Sequence, residues 1–192
     1  MVRRIRERFC GLIPLKRSVY LISPNKINQN FCDNLDKVLS FKNVKFFQLR
    51  LKNIDQEKLI NISKKIRKIT TKHKVKFIIN DNYNLTSKIK ANGCHMGQHD
   101  GSFKIARKKL KGKIFGITCH NSKVLAKEAV RLKADYIAFG SFFKSKLKPS
   151  AKRANLNILK WANKNIKKPI VVIGGINNIN YKRLIKAGAK YI

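Results

Sequence analysis

Short runs of β-branched and aromatic residues recur along the chain, separated by longer stretches with helical spacing. The runs fall at residues 19–23, 44–51, 75–80, 93–98, 114–120, 136–141 and 169–174, and an eighth begins at Lys190. Several are almost unbroken apolar stretches, such as Phe77-Ile78-Ile79 and Ile170-Val171-Val172-Ile173, as parallel strands covered on both faces should be. Between them, residues 54–73 open with Asp55 and Glu57, where negative charge suits a helix N-terminus. In residues 122–133, Val124, Leu125, Ala129, Val130 and Leu132 gather on one side of a helix, and a further helix is expected from about Asn180. Alternating units of this kind build either an open doubly wound sheet or a closed barrel. Seven complete units and the start of an eighth favour closure, an α/β fold of the (β/α)8 TIM-barrel type. No Gly- or Ser-rich linker divides the chain, so a single barrel domain over residues 18–192 is expected behind a basic leader at 1–17.

Composition adds a strong charge to this picture. Against 45 Lys and Arg the 192 residues hold only 9 Asp and Glu, a formal net charge of +36, which attracts anions such as phosphate esters or nucleic acid. Lys, Asn and Ile are spread through every segment, residues 60–74 among them, with no basic tail and no interleaved exposed aromatics. This is the signature of biased composition written onto solvated helix faces, and no specific nucleic-acid surface is expected. Cys10, Cys32, Cys94 and Cys119 show neither paired metal-site spacing nor a disulfide framework, which fits a reducing cytoplasm. The leader's apolar stretch at 10–15 is brief and interrupted by Pro14, and no run approaches the ~18 apolar residues of a membrane span.

The unusual polar residues fall at the C-terminal ends of the expected strands, which in a barrel form the active-site mouth. The second ends in Gln48-Leu49-Arg50-Leu51-Lys52, where alternation puts Gln48, Arg50 and Lys52 on a common side. Two cations and an amide suit a diphosphate and its attached ring, although a basic edge would read the same way. The third strand ends in Asn80-Asp81, and Gln98-His99-Asp100 follows the fourth. Two of only nine acids at neighbouring strand ends could hold magnesium, which accepts one or two carboxylates and completes its shell with water and phosphate oxygens; capping of the following helices, or pairing with local Lys, is the plainer alternative. The fifth strand ends in Thr118-Cys119-His120, with Thr118 and His120 on one side and Cys119 turned away; no carboxylate partner marks His120 as a general acid or base. After the sixth strand comes a loop with Ser145, Lys146 and Lys148, and after the seventh Gly174-Gly175, where backbone amides can approach a phosphate.

These motifs, in this order, resemble the thiamine-phosphate synthase family from Val19 to the last residue. The family's Gln-Leu-Arg-x-Lys is met by residues 48–52, its Asn-Asp by Asn80 and Asp81, its Gly-x-His-Leu-Gly-Gln-x-Asp by residues 93–100 with Cys94 and Met96 as mild variants, and its Gly-Gly-Ile by residues 174–176. The resemblance implies a magnesium-dependent transferase that joins hydroxymethylpyrimidine diphosphate to thiazole phosphate, releasing pyrophosphate. It implies that Gln48, Arg50, Lys52 and Asn80, with Leu49 and Leu51 inside the same run, hold the pyrimidine diphosphate, and that Asp81 and Asp100 hold magnesium. Thr118 stands where the family usually has Ser, Lys148 would meet the leaving diphosphate, and Ser145 and Gly175, with Lys146 and Leu147 in the same phosphate loop, would contact the thiazole phosphate. Leu147 departs from the family's Thr-x-Thr-Lys and removes one hydroxyl donor. The chain also ends at Ile192, inside the expected eighth strand; a barrel truncated there exposes edges on its first and seventh strands, inviting self-association into a homo-oligomer. Two rival readings follow. One is the related thiazole tautomerase, against which the paired carboxylates argue; the other is a degenerate, non-catalytic barrel that binds phosphate ligands or nucleic acid.

Overall fold

The computed structural model describes residues 18–144 and 153–192. The leader 1–17 and the loop residues Ser145, Lys146, Leu147 and Lys148 lie outside the described residues. Among those described, seven strands, β1 (Val19–Ile22), β2 (Val44–Leu49), β3 (Lys76–Asn80), β4 (Gly93–Met96), β5 (Ile114–Thr118), β6 (Tyr136–Phe139) and β7 (Ile170–Val172), lie side by side in chain order. Every neighbouring pair is parallel, with Gln48 level with Ile78, Asn80 with His95, and Gly116 with Tyr136. Helices α1 (Phe31–Leu39), α2 (Gln56–Lys72), α3 (Tyr83–Lys88), α4 (Phe103–Lys109), α5 (Lys123–Arg131), α6 (Leu156–Asn165) and α7 (Tyr181–Lys186) alternate with the strands.

The sheet curls until its two edges meet across Tyr191, which bridges both Ser18 and Val171. Tyr20 N–H donates to the Ile192 carbonyl at 2.7 Å and Val172 N–H to the Tyr191 carbonyl at 3.0 Å. The expected eighth strand is thus present as a bridge, and it ties together the two edges that the sequence left open.

Two hydrophobic layers result. Inside the barrel, Tyr20, Tyr136, Ala138 and Val171 pack with Phe46 and Tyr191, the Phe46 ring lying 5.5 Å from Tyr20 and 5.0 Å from Tyr191. Outside, alternate strand residues such as Phe47, Phe77, Phe115 and Phe139 are fully buried beneath the helices. Helix starts follow from short polar side chains: Asp55, Asn82, Ser102, Ser122 and Asn155 each accept a backbone N–H of the first turn. Helix ends use a left-handed residue, Lys74 after α2, Lys90 after α3 and Lys133 after α5, at φ of 56°, 54° and 58°.

The helix over α5 buries a different face from the one expected. Ala126 and Ala129 are buried with Leu125 and Leu132 beside them, while Val124 and Val130 are exposed, Val124 at 73%. Two alanines let this helix approach the sheet closely, so the smallest residues rather than the most apolar ones mark the contact.

Candidate active site

Apart from β3, which reaches Asn80 as expected, each strand stops short of the run that predicts it: β2 ends at Leu49, β4 at Met96 and β5 at Thr118. The polar residues beyond those points belong to loops, where simple alternation no longer fixes their direction. Gln48, still inside β2, is 3% exposed and points into the barrel. Arg50 is half-buried; its backbone N–H donates to Ser23 Oγ at 2.8 Å and its guanidinium donates to Asn25 Oδ1, which holds it against the loop after β1. Lys52 is exposed at the rim. Leu49 and Leu51 turn away: Leu49 is buried in the outer core and Leu51 packs against it, so their side chains serve the fold and only their backbone borders the mouth.

Asp81 immediately follows β3 with φ 62°, and Asp100 ends the turn after β4. Their carboxyl groups adjoin closely enough that each acts on the other's protonation. The capping alternative is answered by their neighbours, because α3 is capped by Asn82 and α4 by Ser102. Asp100 is held by its own turn, where Gly97 N–H donates to Oδ2 at 2.7 Å. A Cβ at position 97 would stand 2.7 Å from that same oxygen, so only Gly lets the carboxylate lie there. Burial and the adjoining Asp100 push the Asp81 carboxyl up to about 7, while Lys52 and Arg50 pull against them.

Below the aspartates a hydrogen-bonded chain descends into the barrel. Asn80 Nδ2 donates to Asp81 Oδ2 at 2.5 Å, and Gln48 Nε2 donates to Asn80 Oδ1 at 2.5 Å. Tyr20 donates to Gln48 Oε1 at 2.9 Å, and its hydroxyl lies 2.6 Å from that of Tyr136. His95 Nδ1 is 2.9 Å from the Tyr136 hydroxyl, and its Nε2 is 2.7 Å from Thr118 Oγ1. Thr118 is further fixed by Gln98, whose Nε2 donates to its carbonyl at 2.6 Å. Sequence reasoning gave Tyr20, His95 and Tyr136 no role. Their signal was present: each is the polar member of a buried strand, level with an inward neighbour. His120, grouped with Thr118 in the sequence, lies past the end of β5 with φ 51°, while Cys119 is buried in the outer core.

On the far side of the mouth, Gly174 and Gly175 have φ of 93° and 66°. A Cβ on Gly175 would come within 2.6 Å of the Lys144 carbonyl and 2.8 Å of Phe143. The Gly pair therefore lets the loops after β6 and β7 lie in contact, in addition to baring backbone amides, and Asn180 pins the second loop by donating to the Gly175 carbonyl at 3.0 Å.

The profile of the thiamine monophosphate synthase family matches residues 19–192. A thiamine-phosphate synthase of Pelagibacter ubique is 52% identical over 92% of this chain and 86% of its own length. The chain belongs to this family. A second thiamine-phosphate synthase, from Erythrobacter litoralis, is 40% identical over 91% of the chain and 84% of that protein. Among solved structures, thiamine phosphate pyrophosphorylase from Pyrococcus furiosus superposes with a TM-score of 0.82 at 26% identity, covering 92% of this chain and 84% of that one. The YdjI aldolase of Escherichia coli, at 12% identity and a TM-score of 0.68, shares the barrel fold. The mouth described above is where members of the thiamine monophosphate synthase family would be expected to converge their polar residues, since loops after the strands carry the chemistry of such barrels.

Proposed function

We propose that the chain is a thiamine-phosphate synthase, joining hydroxymethylpyrimidine diphosphate to thiazole phosphate and releasing pyrophosphate. The observation that carries this reading is the Asp81–Asp100 pair, set at the mouth beside Arg50 and Lys52 and backed by Asn80 and Gln48. Two adjoining carboxylates, one of them driven toward the neutral form by burial and repulsion, fit a divalent cation, because such an ion removes the repulsion. Asp81 and Asp100 would hold magnesium, and the chemistry it would supply there is positive charge against that developing on the departing pyrophosphate.

The chain's own residues do the rest. Arg50, steadied by Asn25, and Lys52 at the rim supply fixed positive charge for the diphosphate, and Lys148 adds a further cation for the leaving group. Gln48, Asn80 and Thr118 hold the pyrimidine ring, so that its methylene carbon faces the thiazole nitrogen that attacks it. Ser145 and the backbone at Gly175 hold the thiazole phosphate, with Lys146 and Leu147 completing the loop. Barrels use this quarter of the mouth for phosphate, and a helix N-terminus follows it at α7. The three described cysteines are unpaired, consistent with work in a reducing cytoplasm.

Purified chain incubated with both phosphorylated precursors and magnesium should form thiamine phosphate, and chelation should stop it. Formation that continues undiminished in excess chelator would reject the metal assignment. With intact fold and added magnesium, absence of product would reject the activity for this chain.

A further inference from the structure

Because all strands are parallel, every turn leading from a helix into the next strand lies at one end of the barrel, opposite the mouth. Each of these turns carries an exposed lysine: Lys42 before β2, Lys74 before β3, Lys90 before β4, Lys111 before β5, Lys133 before β6, Lys167 before β7 and Lys190 before the Tyr191 bridge. The mouth end differs. The loops after β3, β4, β5 and β7 hold no Lys or Arg, and Asp81 and Asp100 stand there instead. Biased composition alone would load both ends alike, whereas the fold sorts the charge into a basal ring.

Three further features belong to this ring. Lys74, Lys90 and Lys133 hold left-handed conformations, at φ of 56°, 54° and 58°, which glycine enters freely and L side chains only at a cost. The exit from α7 shows the relaxed solution, with Gly188 at φ 99°. Three turns thus keep a lysine where glycine would be more stable. The nearby acids do not neutralise the ring, because Asp135 is engaged by Arg107 at 2.9 Å and Asp36 by Lys72 and His73 at 3.0 and 2.8 Å. Beside Lys42, Phe41 is 48% exposed, and its turn is fixed by its N–H donating to the Val38 carbonyl at 3.3 Å and its carbonyl accepting from Val44 N–H at 3.1 Å.

We propose that this basal face is a docking surface for an anionic lipid bilayer, with the lysine ring on the headgroups and the Phe41 ring at their boundary with the acyl chains. Point charges spaced around a blunt barrel end suit a broad anionic plane, and flexible lysine stems let the ammonium groups spread to meet it. Nucleic acid fits less well. Among the described residues Phe41 is the one exposed large aromatic, so the face has no row of rings on which bases would stack. Docking at this end leaves the mouth facing away from the membrane and open to substrates, and the proposal does not depend on the reaction catalysed.

The full-length chain is tested by flotation with vesicles of phosphatidylcholine alone, or with about one-third phosphatidylglycerol. It should bind the anionic vesicles and not the neutral ones, and rising salt should weaken binding steeply. The triple variant Lys74→Gly, Lys90→Gly, Lys133→Gly should bind about 30-fold or more weakly, while unfolding at a higher temperature than the wild type. A variant of equal charge, Lys58→Gln, Lys64→Gln, Lys68→Gln on the exposed face of α2, should lose about threefold or less, with the basic leader common to every chain. Equal losses in the two variants would trace binding to net charge and overturn the proposal, as would no loss in either. Tighter binding to random-sequence duplex DNA than to the vesicles, at equal phosphate concentration, would overturn the lipid assignment. Phe41→Ser should weaken vesicle binding about threefold or more, and unchanged binding would overturn the placement of that ring. Should the glycine variant not fold, Lys42→Gln, Lys111→Gln and Lys167→Gln together remove the same charge from the same face.

Discussion

Asp81 and His95 are neighbours through one short hydrogen-bonded chain, yet their protonation acts on stability with opposite signs. Burial lowers His95 to about 4, below its value in the unfolded chain. The unfolded state therefore takes up a proton first as pH falls, and stability present above pH ~6.5 is lost down to about pH 4, by roughly 3 kcal/mol in all. Asp81 is raised to about 7, so its ionisation opposes folding, and stability is lost as pH rises from about 4 to about 7; partial solvent access makes this effect smaller than the shift alone implies. The metal-free wild type should consequently vary little in chemical-denaturation stability between these limits. Asp81→Asn removes one partner and should lose stability steadily toward acid, while abolishing magnesium-dependent turnover without loss of fold. Acid-insensitive stability in that variant would contradict the His95 assignment, and retained turnover would contradict the metal role of Asp81.

The element scale shows how much of the architecture is set by short-range chemistry. Five helices begin on an Asp, Asn or Ser that caps the first turn, and the capping residues of α3 and α4 free the adjacent aspartates for the mouth. Exits are less favourable. Lys133 sits at φ 58° after α5, a conformation that L side chains enter at a cost of about 1–2 kcal/mol. Its backbone is needed there, because the next residue, Ala134, donates back to the Ala129 carbonyl at 3.0 Å and so turns the chain toward β6. Lys133→Gly should stabilise the protein by about 0.5–1 kcal/mol, the relief of strain outweighing the extra freedom of the unfolded chain. Thermal unfolding checks this, and a lower melting temperature would show that the Lys side chain contributes more than its backbone costs.

For the whole molecule, the charge of +36 on a 192-residue chain means that folding brings many like charges together. Among the described residues, ion pairs are few: Lys72 and His73 with Asp36, and Arg107 with Asp135. Screening by salt should therefore raise the melting temperature between about 0.01 and about 0.15 M ionic strength, where the Debye length falls from about 30 to about 8 Å. A decrease over that range would mean that local attractions outweigh the overall repulsion. Among the described residues no helix is long and apolar enough to cross a membrane.

Sequence by itself determined the number and order of strand–helix units, the capped helix starts, and the concentration of Gln48, Arg50, Lys52, Asn80, Asp81, Asp100 and Thr118 at strand ends. These are local properties: apolar runs, turn residues and the place where each run stops. Tertiary structure alone decided how the strands close, with Tyr191 joining both edges, and which polar groups meet. Leu49 and Leu51 adjoin Gln48 in sequence but face the outer core, whereas Tyr20, His95 and Tyr136, distant in sequence, form one bonded chain with Gln48 and Thr118. The reason is geometric. Alternation says that a strand residue points inward, but only the register between strands brings inward residues from different strands within 3 Å, and a hydrogen bond's direction is settled only when both partners are known.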